Sequence, residues 1–403
     1  MNAHVAFIDD ETSVLNGLRR GLTALKPDFR MSFYADADEA MAAFEANPAD
    51  LLVTEVGTHM VEASRFLDSV LHRFPSTIRF VLSGQTDQDL GPPRLPLAHQ
   101  VISKPCPVSY LKEAIEAALS HRPSLANARL AEILTGAQAV PTPSAAILRI
   151  QQELRARTSA GGALIGAIEG DPGLAARLLQ VANSVAFAAR YKVERIGQAV
   201  DLLGLEQLDA LVTAHGISSS VPAQRLAEAG LSGMWSHAAD LASLARRIAQ
   251  RQFDAAAADA AFVAGLLHDV GALVLAANAP AEYAAVIAAA SRLPDDDGCS
   301  IASAERKILG ASHAEMGAYV LGLWGLSDAQ IRVIARHADS GMPPGTDDPV
   351  LFSLKLANAL LGDPGQRDAP GLAIAEPLLA MVGVGSGDAP AFVATLRSLP
   401  GGR

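Results

Sequence analysis

Cysteine is nearly absent: Cys106 and Cys299 are the only two, far apart and in no CxxC or zinc-like spacing. That excludes a disulfide framework and a cysteine-built structural zinc site. Aromatics make up only 5% of the 403 residues while half the chain is hydrophobic, so the cores must be built from Ala, Leu, Val and Ile. Ala and Leu are the best helix formers, and this composition favours helices. Positive charge is in deficit: 32 Lys and Arg against 43 Asp and Glu leave a formal net charge of -11. An acidic chain lacks the electrostatic footprint of a non-specific nucleic-acid binder, which argues against nucleic acid as a partner. The densest basic cluster, ARRIAQR with Arg246, Arg247 and Arg251, has helical spacing and reads as a solvated helix face. No unbroken apolar run reaches the ~20 residues a membrane span needs. The opening MNAHVAFIDDETS is too acidic, and its apolar run too short, for a signal peptide. A soluble cytoplasmic protein with no membrane partner is expected. Also missing are G-x-x-x-x-G-K-[ST] and G-x-S-x-G, so neither a P-loop nor a nucleophile elbow is available.

What the chain does have is a change of pattern along its length, and 403 residues are too many for one ordinary core. Over residues 1–122, HVAFIDD, RMSFYA, DLLVTEV, TIRFVLSG and QVISKP read as short buried strands. Between and after them, TSVLNGLRRGLTAL, ADEAMAAFEAN, EASRFLDSVLHRF and VSYLKEAIEAALS read as helices, the pattern of a doubly wound parallel α/β sheet. Strand signals then stop. Residues 123–140 read as a helical linker running into the rigid AVPTP, 141–340 as an all-α domain, and 341–403 as its C-terminal helical extension. Asp171 followed by Pro172 is a helix start, and Ser312 with Glu315 is a capping box. LPDDDGCS is a polar interruption that reads as a loop.

In open parallel sheets, chemistry sits at the carboxyl ends of the strands. Those ends carry Asp9 and Asp10, Glu55, Ser83 and Lys104-Pro105. Acidic side chains facing a hydroxyl and a lysine could hold a cation and a phosphoryl group. In order and spacing this set resembles the response-regulator receiver domain, with a flavodoxin-like fold, over the first ~120 residues. The resemblance also marks departures. It places an acceptor aspartate where Glu55 stands, a Met-Pro and a Gly where Thr58-His59 and Glu62 stand, and an aromatic switch residue at Val101. A glutamate carries its carboxylate one methylene further out, which removes the normal geometry of in-line attack and can imitate phosphoaspartate. The expectation is a receiver that is not phosphorylated, with weak Mg binding by Asp10 and Glu55 left open.

The helical region centres on FVAGLLHDVGALVLA, where His268 and Asp269 interrupt an apolar run. Together with GDPGLAARLLQVANSVAF, IGQAVDLLG, MWSHAADLASLA, GASHAEMGAYVL and IRVIARHA, this segment resembles the HDOD family, a branch of the HD metal phosphohydrolase superfamily. A metal site of this kind needs convergent His and carboxylate ligands from several helices. The candidates are His237, His268, Asp269, His313 and His337. By the resemblance, a catalytic lysine position is occupied by Ala272 and a distant aspartate by Asn358. Each histidine also has a structural alternative. His268 can be a hydrogen-bonded core residue with Asp269 orienting it or capping a turn, His313 an exposed first-turn residue, and His337 a residue favoured by a helix C-terminus.

The expected function is therefore a signal-transduction protein. Its receiver controls or docks an HDOD domain that acts through protein–protein or nucleotide-ligand binding, with no cofactor and no enzymatic turnover. Kinases, diguanylate cyclases, phosphodiesterases and a second copy of the chain are the candidate partners. The alternative is a metal-dependent phosphohydrolase acting on a nucleotide or cyclic dinucleotide.

Overall fold

In the computed structural model, residues 3–83 and 98–120 are described apart from positions 26, 57–59, 75 and 105. Also described are 162–290 apart from 185–186 and 188–191, 300–339 apart from 324–325, 348–361, and isolated positions at 147–154 and 378–391. The helix expected in the linker, AVPTP, the LPDDDGCS loop up to Cys299 and the final residues lie outside this set. The chain divides into two compact units, one comprising Met1–Leu148 and Tyr319–Asp328, the other Arg149–Ala318 and Ala329–Arg403.

The first unit is built on five parallel strands: β1 (Ala3–Ile8), β2 (Phe29–Tyr34), β3 (Leu51–Val56), β4 (Ile78–Ser83) and β5 (Gln100–Ser103). Their order is β2-β1-β3-β4-β5. β1 pairs with β2 from Ala3↔Phe29 to Ile8↔Tyr34, and with β3 from Val5↔Leu51 to Ile8↔Thr54. The helices are α1 (Thr12–Ala24), α2 (Ala37–Ala46), α3 (Met60–Arg73) and α4 (Val108–Ser120). A parallel sheet covered on both faces needs strands that are apolar on both faces. Val5, Ala6 and Phe7, each with no exposed surface, meet that requirement. The strand order turns at β1 and β3, and the residues that follow β1 and end β3 therefore face the crevice where such sheets place their sites.

In the second unit the described helices are α5 (Gly162–Glu169), α6 (Pro172–Ala182), α7 (Ile196–Leu203), α8 (Leu205–Ser220), α9 (Ala223–Glu228), α10 (Met234–Gln252), α11 (Ala255–Leu267), α12 (Val270–Asn278), α13 (Pro280–Ala290), α14 (Ser300–Leu309), α16 (Asp328–Arg336) and α17 (Pro349–Leu361). One further helix, α15 (His313–Leu323), begins in this unit. Asp171 caps α6 by accepting from Leu174 N at 3.0 Å, with Pro172 in the first turn. The Ser312–Glu315 capping box closes in both directions, Ser312 N to Glu315 Oε2 at 2.7 Å and Glu315 N to Ser312 Oγ at 3.3 Å.

The core of this unit runs through α10, α11 and α17, with Leu241, Ile248, Ala261, Ala264, Leu354 and Leu356 in one buried cluster. Small residues let these helices approach closely. A Cβ on Gly265 of α11 would lie 2.5 Å from the Cα of Ala242 on α10. The stretch Ala255–Asn278, with mean hydropathy 1.9, is long and apolar enough by composition to cross a membrane, unlike the expectation from run length. Its most apolar window is 83% buried within the fold, which is where a core helix puts such a face. The basic cluster also departs from its expected solvated face. Arg247 is buried, and Arg246 pairs with Asp259 at 2.7 Å and lies over the Phe187 ring at 4.4 Å. Only Arg251 of the three is exposed. Long cationic side chains can bury their stems against apolar surface while the head keeps a partner.

Candidate functional site

Helix ends bring the candidate residues of the second unit together. His237 lies in the first turn of α10, His268 directly follows α11, and Asp269 precedes α12. His313 opens α15 and His337 directly follows α16. Gly271 makes the convergence sterically feasible. A Cβ there would sit 1.9 Å from the carbonyl oxygen of His313 and 2.5 Å from Gly317 N, so only glycine lets α12 approach α15 this closely. Asp269 occupies the N-cap position of α12 but makes no side-chain capping bond. Its carboxylate instead faces the histidines.

His268 Nε2 lies 3.0 Å and His237 Nε2 4.0 Å from Asp269 Oδ2, while His313 Nε2 and His337 Nε2 lie 3.5 and 3.6 Å from Oδ1. His313 Nε2 and His337 Nε2 are 3.2 Å apart. The opposite ring nitrogens are anchored. Nδ1 of His268 contacts Gly265 O at 2.9 Å, Nδ1 of His337 contacts Ile334 O at 2.7 Å, and Nδ1 of His313 contacts Glu305 Oε2 at 2.6 Å. Carbonyls and carboxylates only accept, so these three Nδ1 atoms donate, and in the neutral rings Nε2 presents a lone pair inward. His237 Nε2 is buried with no hydrogen-bond partner among the described residues. The interior of the cluster is thus a set of acceptors.

The electrostatics match. Burial, followed by the neighbouring His268, lowers His237 to about 4, and burial likewise lowers His337 to about 4. Burial alone would raise Asp269, but the neighbouring charge of His268, hydrogen bonds from His268 and His337, and the charge of His313 hold it well below the usual carboxylate range. These need protons on the inward ring nitrogens, whose place a bound ion would take. Lone pairs around an ionised carboxylate suit a cation. A tetrahedral ion with bonds of ~2.1 Å needs donors about 3.4 Å apart. The Asp269 Oδ1–His313–His337 triangle has edges of 3.2, 3.5 and 3.6 Å. The donor set fits a divalent transition metal, and the Glu305–His313 contact is the outer-shell support such ligands usually have.

Two supporting residues escaped the sequence reading. Glu305, with no exposed surface, accepts from His313 N at 2.7 Å as well as from the ring. Lys355 on α17, 8% exposed, donates to His337 O at 3.2 Å and Asp339 O at 2.5 Å. Lys355 had a signal, a lone charge among apolar neighbours in PVLFSLKLANALL, whereas Glu305 stands beside Arg306 and Lys307 in SIASAERKIL and reads as part of a charged face. Asn358 lies one turn beyond Lys355, and its buried Oδ1 has no hydrogen-bond partner among the described residues. His313, expected at an exposed first turn, is 9% exposed because its ring turns inward to the carboxylates.

In the first unit, Asp9, Glu55 and Lys104 come together. Lys104 Nζ is 2.6 Å from Glu55 Oε2 and 3.4 Å from Asp9 Oδ2, and Asp9 Oδ1 accepts from Glu11 N at 2.9 Å. Burial and the hydrogen bond with Asp9 raise the Glu55 carboxyl, and Lys104 partly offsets this. Asp10 is exposed at the same crevice, and Ser83 ends β4 opposite Val56 and Ser103. The side chains of Ser83, Val101 and Glu62, and all of Thr58 and His59, lie outside the described residues.

Residues 140–340 match the family model described as HDOD domain. An HDOD domain protein from Geobacter sulfurreducens is 22% identical, with a TM-score of 0.45, covering 68% of this chain and 98% of its own. The signal receiver domain of an HD domain-containing protein from Pseudomonas fluorescens Pf-5 is also 22% identical, with a TM-score of 0.27, covering 31% of this chain and 99% of its own. Among curated proteins, the hydrogenase transcriptional regulatory protein HoxA of Cupriavidus necator is 33% identical over 87 residues, 22% of this chain. The chain spans only 17% of that protein's length.

Proposed function

We propose that this chain, a signal-transduction protein in which residues 140–340 are an HDOD domain and a receiver-like α/β unit precedes them, acts by binding rather than turnover, and that its His/Asp cluster holds a divalent transition-metal ion. The acceptor-only interior carries this reading. Three rings donate through Nδ1 to backbone or Glu305 and turn lone pairs on Asp269, an arrangement that a bound cation satisfies and that is otherwise costly to bury. Imidazole with carboxylate suits zinc, iron or manganese, and the bound ion would supply Lewis acidity. His237, His268, Asp269, His313 and His337 would hold it.

Size supports binding without turnover. The cavity that reaches Asp269 measures about 90 Å³, against the roughly 300–1,000 Å³ of pockets that engulf drug-sized ligands. The superfamily lysine position is the buried, apolar Ala272. In the receiver-like unit, Glu55 is paired to Lys104, which supports a unit that is not phosphorylated and serves as a docking surface. The partners proposed for it are signalling proteins of the kinase, diguanylate cyclase or phosphodiesterase type, or a second copy, in the cytoplasm.

Elemental analysis of the purified full chain tests the reading, alongside assays with cyclic dinucleotides and nucleotides. Near-stoichiometric zinc, iron or manganese is expected, lost in H268A and D269A, with a lower melting temperature after chelation and no hydrolysis. A metal-free wild-type chain would refute the metal. Turnover that disappears with H268A would instead establish the phosphohydrolase alternative.

A further inference from the structure

A cavity of about 90 Å³ in the second unit is walled by α6, α8, α10 and α12 and has Asp269 among its lining residues. Most of its wall is apolar. The polar exceptions besides Asp269 are Arg177, Ser218 and Ser232, with the Trp235 indole alongside. Arg177 Nη1 donates to Ser218 Oγ at 2.5 Å, and the guanidinium lies over the Trp235 ring at 4.2 Å from its centroid. Trp235 is itself held by Nε1 donating to Gln180 Oε1 at 3.3 Å. The guanidinium is therefore oriented by stacking, while only one of its five donors has a hydrogen-bond partner among the described residues.

The neighbouring carboxylate attracts the guanidinium but takes none of its donors. Asp171 accepts from Leu174 N at 3.0 Å and contacts His215 Nε2 at 3.3 Å, so both its oxygens are engaged elsewhere. We infer that this cavity is a binding site for a small tetrahedral oxyanion of the phosphate class next to the metal cluster, held by Arg177, which Ser218 positions by accepting from Nη1 while its own hydroxyl donates to His215 O at 3.1 Å. A planar guanidinium with free donors matches a tetrahedral oxyanion in geometry and charge. The volume of about 90 Å³ admits one such group.

Asp269 adds a condition. With the cluster metal-free, its carboxylate repels an anion from the same cavity; with a divalent ion held there, the sign of the local field reverses. Oxyanion and metal should therefore bind with positive coupling, each tightening the other. This part rests on the metal reading above, whereas the Arg177 contact does not.

The test is calorimetric titration of inorganic phosphate into the full chain, manganese-loaded and chelator-treated, with metal content measured in every sample. One phosphate per chain is expected on the loaded protein, bound at least tenfold more weakly after chelation. R177Q should weaken it at least tenfold with metal content unchanged, R177K by less, and S218A, the milder variant, by a few-fold. Adenosine monophosphate should bind no better than phosphate. Phosphate affinity equal in wild type, R177Q and S218A at full metal content would overturn the anion site alone. If wild type takes up no metal, the metal reading fails, and Arg177-dependent binding to the metal-free chain still decides for or against the anion site.

Discussion

Acidification of the chelator-treated chain from pH 7.5 to pH 5 should destabilise the second unit, and the magnitude follows from two buried imidazoles. His237 and His337 are lowered from 6.5 to about 4, chiefly by burial, and their side chains are only 9% and 3% exposed. A depressed histidine is neutral in the fold while the unfolded chain takes up a proton. Its contribution is present above about pH 6.5 and is lost as pH falls towards 4. At pH 5 the loss is about 2 kcal/mol for each ring. For a unit of this size, 1 kcal/mol moves the melting temperature by roughly 2–4 °C, so each ring accounts for about 4–8 °C. Asp269, held well below the usual carboxylate range, titrates beneath this window and leaves it undisturbed. His215 is also lowered, first by burial and then by Arg177, and adds to the slope. H337Q isolates the effect because the His215 contribution is common to both proteins and cancels in the comparison. Thermal melts followed by circular dichroism should show H337Q losing about 2 kcal/mol less than wild type between pH 7.5 and 5. Equal losses in the two proteins would refute the reasoning, because a buried neutral ring cannot be removed without changing proton uptake on unfolding.

G271A should cost more than about 3 kcal/mol or prevent folding, since its Cβ would meet the backbone of His313 at 1.9 Å. By contrast G17A, with nothing within 4 Å on α1, should be neutral or stabilise the chain by up to about 1 kcal/mol in urea melts. E305Q should weaken metal binding about 10–100-fold, read by competition with a chromogenic chelator, because a neutral amide orients the His313 ring less strongly. Incubation with acetyl phosphate should leave no hydroxylamine-labile phosphate on Glu55, as checked by mass spectrometry with and without hydroxylamine.

How much was legible depended on whether a feature is local. The first unit's strands and helices were readable to within a residue or two, because buried parallel strands advertise themselves as apolar runs ending at acids, as in HVAFIDD for β1. Asp171 and the Ser312–Glu315 box were readable for the same reason, since a cap involves residues only three positions apart. The cluster was readable as a set of residue types but not as a geometry. Nothing near His313 indicates that its ring meets a carboxylate eight residues earlier and a second imidazole 24 residues later. Arg246 and Arg247 were misjudged for a related reason. Their helical spacing suited a wet face, whereas Phe187, Phe262 and Asp259 supply the contacts that cover Arg246.

The placement of all five candidate ligand side chains at helix ends has a consequence for regulation. A ligand set within one helix keeps its spacing however that helix moves, whereas this one is spread over junctions involving α10, α11, α12, α15 and α16. Donor edges of 3.2 to 3.6 Å match a bound ion, and a displacement of one ångström between α12 and α15 takes them outside that match. Gly271 resists such a displacement by packing α12 directly on the backbone of α15, with no side chain left to yield. The proposed ion binding and helix packing within this unit would therefore be linked in both directions. An ion that neutralised Asp269 as proposed would fix the α12–α15 spacing, and any partner favouring a different spacing would bind in competition with it.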